Sequence, residues 1–186
     1  MRYSPLQTPT SPDLTYARVA GLTLILYILS GIMSMALGSD SQWVEILTLV
    51  QSFSALALGA TLYALTYEQG PILALFALLC RVAEAIQYGE SAIYFSVGSL
   101  MFTWLLLNGK RIPVMLAWLG LIASALLVII LPLQLAGLFG GSLGWSVSLT
   151  WLVWLPMLMF ELALAVWFIF KGVRMPVKIK IANAIG

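Results

Sequence analysis

Apolar positions run along this chain in six long, nearly unbroken blocks, and the polar residues collect in short gaps between them. The blocks extend from about Ala17 to Leu37, Trp43 to Leu65, Pro71 to Tyr88, Ala92 to Leu107, Val114 to Phe139 and Ser146 to Phe170. The gaps read "GSDSQ", "TYEQG", "GES", "LNGKRIP" and "GGSLGW". Strands of a membrane barrel alternate apolar and polar residues, and these blocks do not. Their lengths suit helices that cross a hydrocarbon core of about 30 Å. In lipid every backbone N–H and C=O must be paired internally, which a helix does by itself. The pattern therefore predicts an all-α membrane protein, a compact bundle of six transmembrane helices. The first block also carries Ser34 and Ala36, which imitate a small-x-small cleavage site. Its apolar run exceeds the ~7–15 residues of a signal-peptide core, however, and its leader is long and weakly basic, so it reads as a span.

Composition sharpens this picture. Of 186 residues 62% are hydrophobic and 9% charged, where a soluble domain carries about 25% charged residues. The mean hydropathy is +1.03. The lipid bilayer is the expected partner. A net charge of +2 is too small to point to nucleic acid. The sequence has no His and a single cysteine, Cys80. No metal site, cofactor or intrachain disulfide is expected on that basis.

The basic residues predict an orientation. With the N-terminus inside, Arg2, Arg18, Lys110, Arg111, Lys171, Arg174, Lys178 and Lys180 fall on the inner side and the outer loops hold no Lys or Arg. This is the positive-inside asymmetry of a plasma-membrane protein with both termini cytoplasmic. Trp43 and Trp145 then sit at the outer interface and Trp118 and Trp167 near the inner one. The expected organisation is a polar tail over residues 1–16, a six-helix domain over 17–173, and a basic cytoplasmic tail over 174–186 that attracts anionic lipid. Pro113 suits a first-turn position in the fifth span, and Pro132 and Pro156 suit bends in the fifth and sixth.

The third block contains the only charged turn within a span's apolar core, "LLCRVAEAIQY". At helical spacing Cys80, Arg81, Glu84, Gln87 and Tyr88 share one face. The milder stripes elsewhere are Thr23, Tyr27, Ser30 and Ser34; Thr48, Gln51, Ser52, Ala55 and Gly59; and Ser96, Ser99 and Thr103. Small and polar faces of this kind are where membrane helices touch. A charge near a span's centre costs about 2.5–3.5 kcal/mol even on the lenient insertion scale, so it must pair or reach water. Arg81, Glu84 and Glu161 are therefore expected to form a buried cluster, with Gln51, Gln87 and Tyr88 as candidate polar partners. One negative charge is left over.

Several stretches carry a resemblance to a known family: "ARVAGLTLILYILSGI", "LLCRVAEAI", "GSLMFTWLLLNGKRIPVMLAWLGLIAS" and "LPMLMFELALAVWFIFKGV". They resemble the bacterial and archaeal membrane-protein family called domain of unknown function 4386. The likeness extends from Ala17 to Val173 and places Arg81, Glu84, Pro113 and Glu161 on recurrent motif positions. It departs from the family at "IQYGES", a shortened link between the third and fourth spans. The resemblance implies an architecture and no particular activity.

Three functions compete. The first is a non-enzymatic structural, accessory or regulatory membrane protein, with the charged cluster as a clasp and a protein partner or second copy alongside. The second is a small proton- or ion-coupled transporter using Arg81, Glu84 and Glu161. The third is a binder of lipid or another hydrophobic ligand. The six spans also divide three plus three, with Glu84 and Glu161 each in the third helix of its half, as in an inverted pseudo-repeat. Catalysis is not expected. The two Asp residues lie outside the spans, and Cys80, in a buried stripe, is of the inert kind.

Overall fold

The computed structural model describes residues 11–37, 41–86, 91–138 and 148–173. Both termini, and the expected turns around Asp40 and Trp145, lie outside these. The described residues form six helices: α1 (Ser11–Leu37), α2 (Trp43–Thr66), α3 (Pro71–Ile86), α4 (Ser91–Asn108), α5 (Val114–Leu135) and α6 (Ser148–Phe170), with a 3₁₀ turn at Tyr67–Gln69 between α2 and α3. Among the described residues there is no strand. Five of the helices, all but α3, are long and apolar enough to cross a membrane, so the chain is a multi-pass, all-helical membrane protein. α3 has 16 helical residues, about 24 Å at 1.5 Å per residue.

The helix limits follow the chemistry of the gaps. Pro71 opens α3, where its missing N–H costs nothing. Pro113 stands one place outside α5 in extended conformation, with φ −56° and ψ 137°. It is thus the residue before the helix instead of a member of its first turn, and its carbonyl accepts from Ala117 N–H at 3.0 Å. Pro132 and Pro156 do lie inside α5 and α6. α1 begins six residues ahead of the apolar block, at Ser11.

Each helix packs on its chain neighbours, and α6 returns to α1, so the six close into a ring. Small residues permit the closure. A Cβ on Gly21 of α1 would lie 2.9 Å from the Ala165 carbonyl oxygen of α6. One on Gly59 of α2 would lie 2.9 Å from Cβ of Arg81 on α3. The ring is filled by Leu24, Leu58, Leu62, Phe95, Phe102, Leu106, Leu127, Met157, Phe160 and Leu164. The outward faces carry large apolar side chains, as a lipid-facing surface requires. On α3, Ile72, Leu75, Phe76, Leu79 and Ile86 point outward while Ala74, Ala77, Cys80, Arg81 and Glu84 are buried.

Helix lengths are unequal, and this shapes the molecule. α2 is 24 residues long and α6 is 23, about 35 Å each, against about 24–27 Å for α3 and α4. Lys110, Arg111 and Lys171 lie at the end where α4 and α6 finish. The connection there is stapled. Lys110 adopts a left-handed φ of 49°, which turns the Arg111 side chain inward. Its guanidinium is buried against Glu68 at 3.3 Å.

Candidate functional site

The geometry of the charged cluster starts on α3. Residues i and i+3 of a helix are neighbours, and Arg81 Nη1 donates to Glu84 Oε2 at 2.7 Å. Tyr27 of α1 reaches across and donates its hydroxyl to the other oxygen, Oε1, at 2.6 Å. From α4, Ser99 accepts from Arg81 Nη2 at 3.3 Å. The guanidinium carbon lies 4.7 Å from the ring centroid of Phe95, close enough for a cation–π attraction strengthened by the dry surroundings. Phe95 in turn stacks parallel to Tyr27 and leans on Trp154 of α6, 5.3 Å between centroids. Gly59 and Gly98 let α2 and α4 close on either side of this stretch of α3: a Cβ at Gly98 would meet Cβ of Cys80 at 3.1 Å.

Glu161 stands apart from this network. It is 6% exposed and sits in mid-helix, about 20 Å along α6 from Ser148. Arg81 forms its ion pair with Glu84 and not with Glu161. The Glu161 Oε1 atom is buried with no hydrogen-bond partner, and so is Arg81 Nε. The two residues line a common central cavity of about 20 Å³ together with Ser99, Phe102 and Met157. That is room for one water molecule between polar groups.

The charge count now has an address. Arg81 and Glu84 cancel, with both Glu84 oxygens engaged. The surplus negative group is Glu161.

Two larger cavities share lining residues, and the first reaches Glu161. The first, about 380 Å³, lies between α1 and α6 and is lined by Gly31, Ile32, Gln51, Trp151, Trp154 and Glu161 among others. α1 and α6 touch at Gly21 and Ala165, and the cavity lies further along both helices, between residues 27–35 of α1 and 151–161 of α6. Its rim is apolar and half-exposed, formed by Ile32, Met35, Trp151 and Leu155. The second, about 370 Å³, lies between α2 and α3 and reaches Glu84. Tyr27, Gln51 and Ser91 line both. Ser91 opens α4, and Ala85, next to the last residue of α3, lines the second cavity.

Of the residues singled out from sequence, Arg81, Glu84 and Glu161 all turn inward, but as an ion pair and a separate acid. Gln51 lines the cavities and lies against Gly31 without bonding a carboxylate. Gln87 and Tyr88 lie outside the described residues. Tyr27 and Ser99 were legible only as members of packing stripes, and Phe95 and Trp154 carried no separate signal. The remaining hydroxyls mostly bond back to their own helix: Thr23 to Val19 O, Thr48 to Val44 O and Ser96 to Ile93 O. These are packing groups. Among the described residues no group of His, Cys, Asp and Glu is arranged to hold a metal. Comparison with protein-family models, with curated proteins and with solved structures finds no match to this chain.

Proposed function

We propose that the chain is a small, non-enzymatic carrier of the plasma membrane, related to the domain of unknown function 4386 family, in which Glu161 is the exchange group. Arg81, Glu84, Tyr27 and Ser99 form the fixed scaffold against which it works. The observation that carries this reading is the cavity of about 380 Å³ that ends on a buried carboxylate with an unsatisfied oxygen. The volume falls in the range of small-ligand sites, about 300–1,000 Å³. An acid in that position is neutral only with a proton or a cation beside it, which suits proton- or ion-coupled movement.

In this reading α3 crosses together with the other five helices, giving six spans. The ends bearing Arg18, Lys110, Arg111 and Lys171 are cytoplasmic. The side-by-side arrangement of α1–α3 and α4–α6 in the ring is compatible with a three-plus-three design.

The clasp reading belongs to the Arg81–Glu84 pair, whose oxygens are fully used. The test is reconstitution into liposomes with an internal pH-sensitive dye. An imposed potassium diffusion potential should drive proton entry through the wild type and not through Glu161→Gln. If Glu161→Gln conducts as the wild type does, the carrier reading fails.

A further inference from the structure

Resting on the carrier reading, we infer that the cavity between α1 and α6 is a binding site for a monovalent organic cation with an aromatic or apolar body, held by Glu161 at its deep end and admitted sideways from the bilayer. Three independent features of the site specify that chemistry.

The first is charge. Arg81 is consumed by Glu84 at 2.7 Å, and Glu84 is completed by Tyr27 at 2.6 Å. The ionisable groups that face Glu161 are Tyr27 from α1 and Arg81 and Glu84 from α3. The other linings are Gln51 from α2, Ser91 and Ala92 from α4, and Leu131 from α5. A ligand that pairs with the ionised carboxylate must therefore bring one positive charge, in competition with a proton. An anionic ligand meets an acid with no cation to spare.

The second is the wall. Tyr27, Trp151 and Trp154 line the space above the carboxylate. Indole and phenol faces attract cations and stack on flat apolar bodies. Such a lining favours a large, weakly hydrated organic cation over a small inorganic one, which needs a cage of oxygen ligands at short range. Here the oxygen donors are few.

The third is the entrance. The rim residues Ile32, Met35, Trp151 and Leu155 are half-exposed on the outer surface of the ring, on two helices that touch at Gly21 and Ala165. In a membrane that surface meets acyl chains. A ligand partitioned into the bilayer reaches the cavity without first crossing the ring.

The experiment uses two probes of the same shape and opposite charge, tetraphenylphosphonium and tetraphenylborate. Their binding to the detergent-purified full chain is read by quenching of tryptophan fluorescence and by calorimetry. The expected result is that the phosphonium binds at least tenfold tighter than the borate. Glu161→Gln removes most of that preference, and acid pH weakens phosphonium binding as a proton competes for the carboxylate. Ile32→Trp, at the lipid-facing rim, blocks both probes while leaving the charged groups untouched. It keeps the proposal open to test if Glu161→Gln fails to fold. Equal binding of the two ions, blocked by Ile32→Trp, would overturn the cation assignment and leave a hydrophobic-ligand site. Binding of neither ion, with proton flux still dependent on Glu161, would overturn the assignment and leave the carrier reading standing. Loss of both binding and flux would sink the two together.

Discussion

Replacing Glu84 by Gln tests the division between scaffold and exchange group. The substitution removes the anion from a guanidinium that is 2% exposed and that cannot shed its charge, since Arg stays protonated in proteins. Breaking a buried ion pair from one side costs about 3–5 kcal/mol. For a chain of this size each kcal/mol moves a thermal midpoint by about 2–4 °C, so Glu84→Gln should unfold about 6–20 °C below the wild type in detergent. Glu161 moderates the loss, because it faces Arg81 across the 20 Å³ central cavity. Glu161→Gln alone breaks no ion pair and removes a costly buried charge, so its midpoint should stay within about 4 °C of the wild type or rise. The double variant Glu84→Gln/Glu161→Gln should fall further than the sum of the two, because Arg81 then has no anion at all. Arg81→Met/Glu84→Gln should recover most of the stability, because no lone charge remains. The assay is the loss of helical circular dichroism with temperature, checked by gel filtration of heated samples. A midpoint for Glu161→Gln as low as that for Glu84→Gln would show that both acids hold the fold, and the separation argued above would be wrong.

Tyr27→Phe removes one hydrogen bond to a charged acceptor, worth about 1.5–3 kcal/mol, so its midpoint should lie between those of Glu84→Gln and the wild type; an unchanged midpoint would remove Tyr27 from the scaffold. Gly59→Leu forces side-chain atoms into the space beside Arg81 Cβ, 2.9 Å from an ideal Cβ, and overpacking of this kind costs about 1–3 kcal/mol. A drop in the midpoint is expected, and a gain from improved helix propensity alone would contradict the close packing of α2 on α3. Cys80, 7% exposed among Arg81, Ala77 and Gly98, should resist N-ethylmaleimide in native membranes and react fully in hot dodecyl sulfate, as mass spectrometry would read it. Rapid labelling of the native protein would mean that water reaches α3 from the cavity side.

The helices were legible because lipid leaves a chain few choices. A block such as Val114 to Leu135 has no polar alternative to internal hydrogen bonding, and its helix follows from composition alone. The inward turn of Arg81 and Glu84 followed from cost: a charge facing acyl chains is expensive, and i,i+3 spacing supplies a partner on the same helix. What the sequence left open was which acid the arginine takes. Both carboxylates were within its reach on paper, and the reach of Tyr27 from α1 across the ring to Glu84, completing that acid, decides the matter. That contact joins residues 57 positions apart, and a tyrosine in a stripe of small polar residues looks the same whether it packs or bonds. The closure of α6 on α1 was likewise invisible, since it depends on small residues at Gly21 and Ala165 meeting across the whole length of the chain. Arg111 reads as one more interfacial cation in a basic loop. Its burial against Glu68 depends on the left-handed turn at Lys110, which no local pattern announces.

Glu84 and Glu161 are equally buried, 7% and 6% exposed, and differ in their partners. Glu84 holds Arg81 and Tyr27, whereas Glu161 keeps an oxygen without a hydrogen bond and lines a cavity in place of a partner. A bundle needing only a clasp would be satisfied by Arg81 and Glu84 and would gain nothing from a further mid-helix acid that costs about 2.5–3.5 kcal/mol to insert. The position of Glu161, where the filled ring gives way to the cavity between α1 and α6, makes sense for a group whose counter-charge arrives from outside the protein.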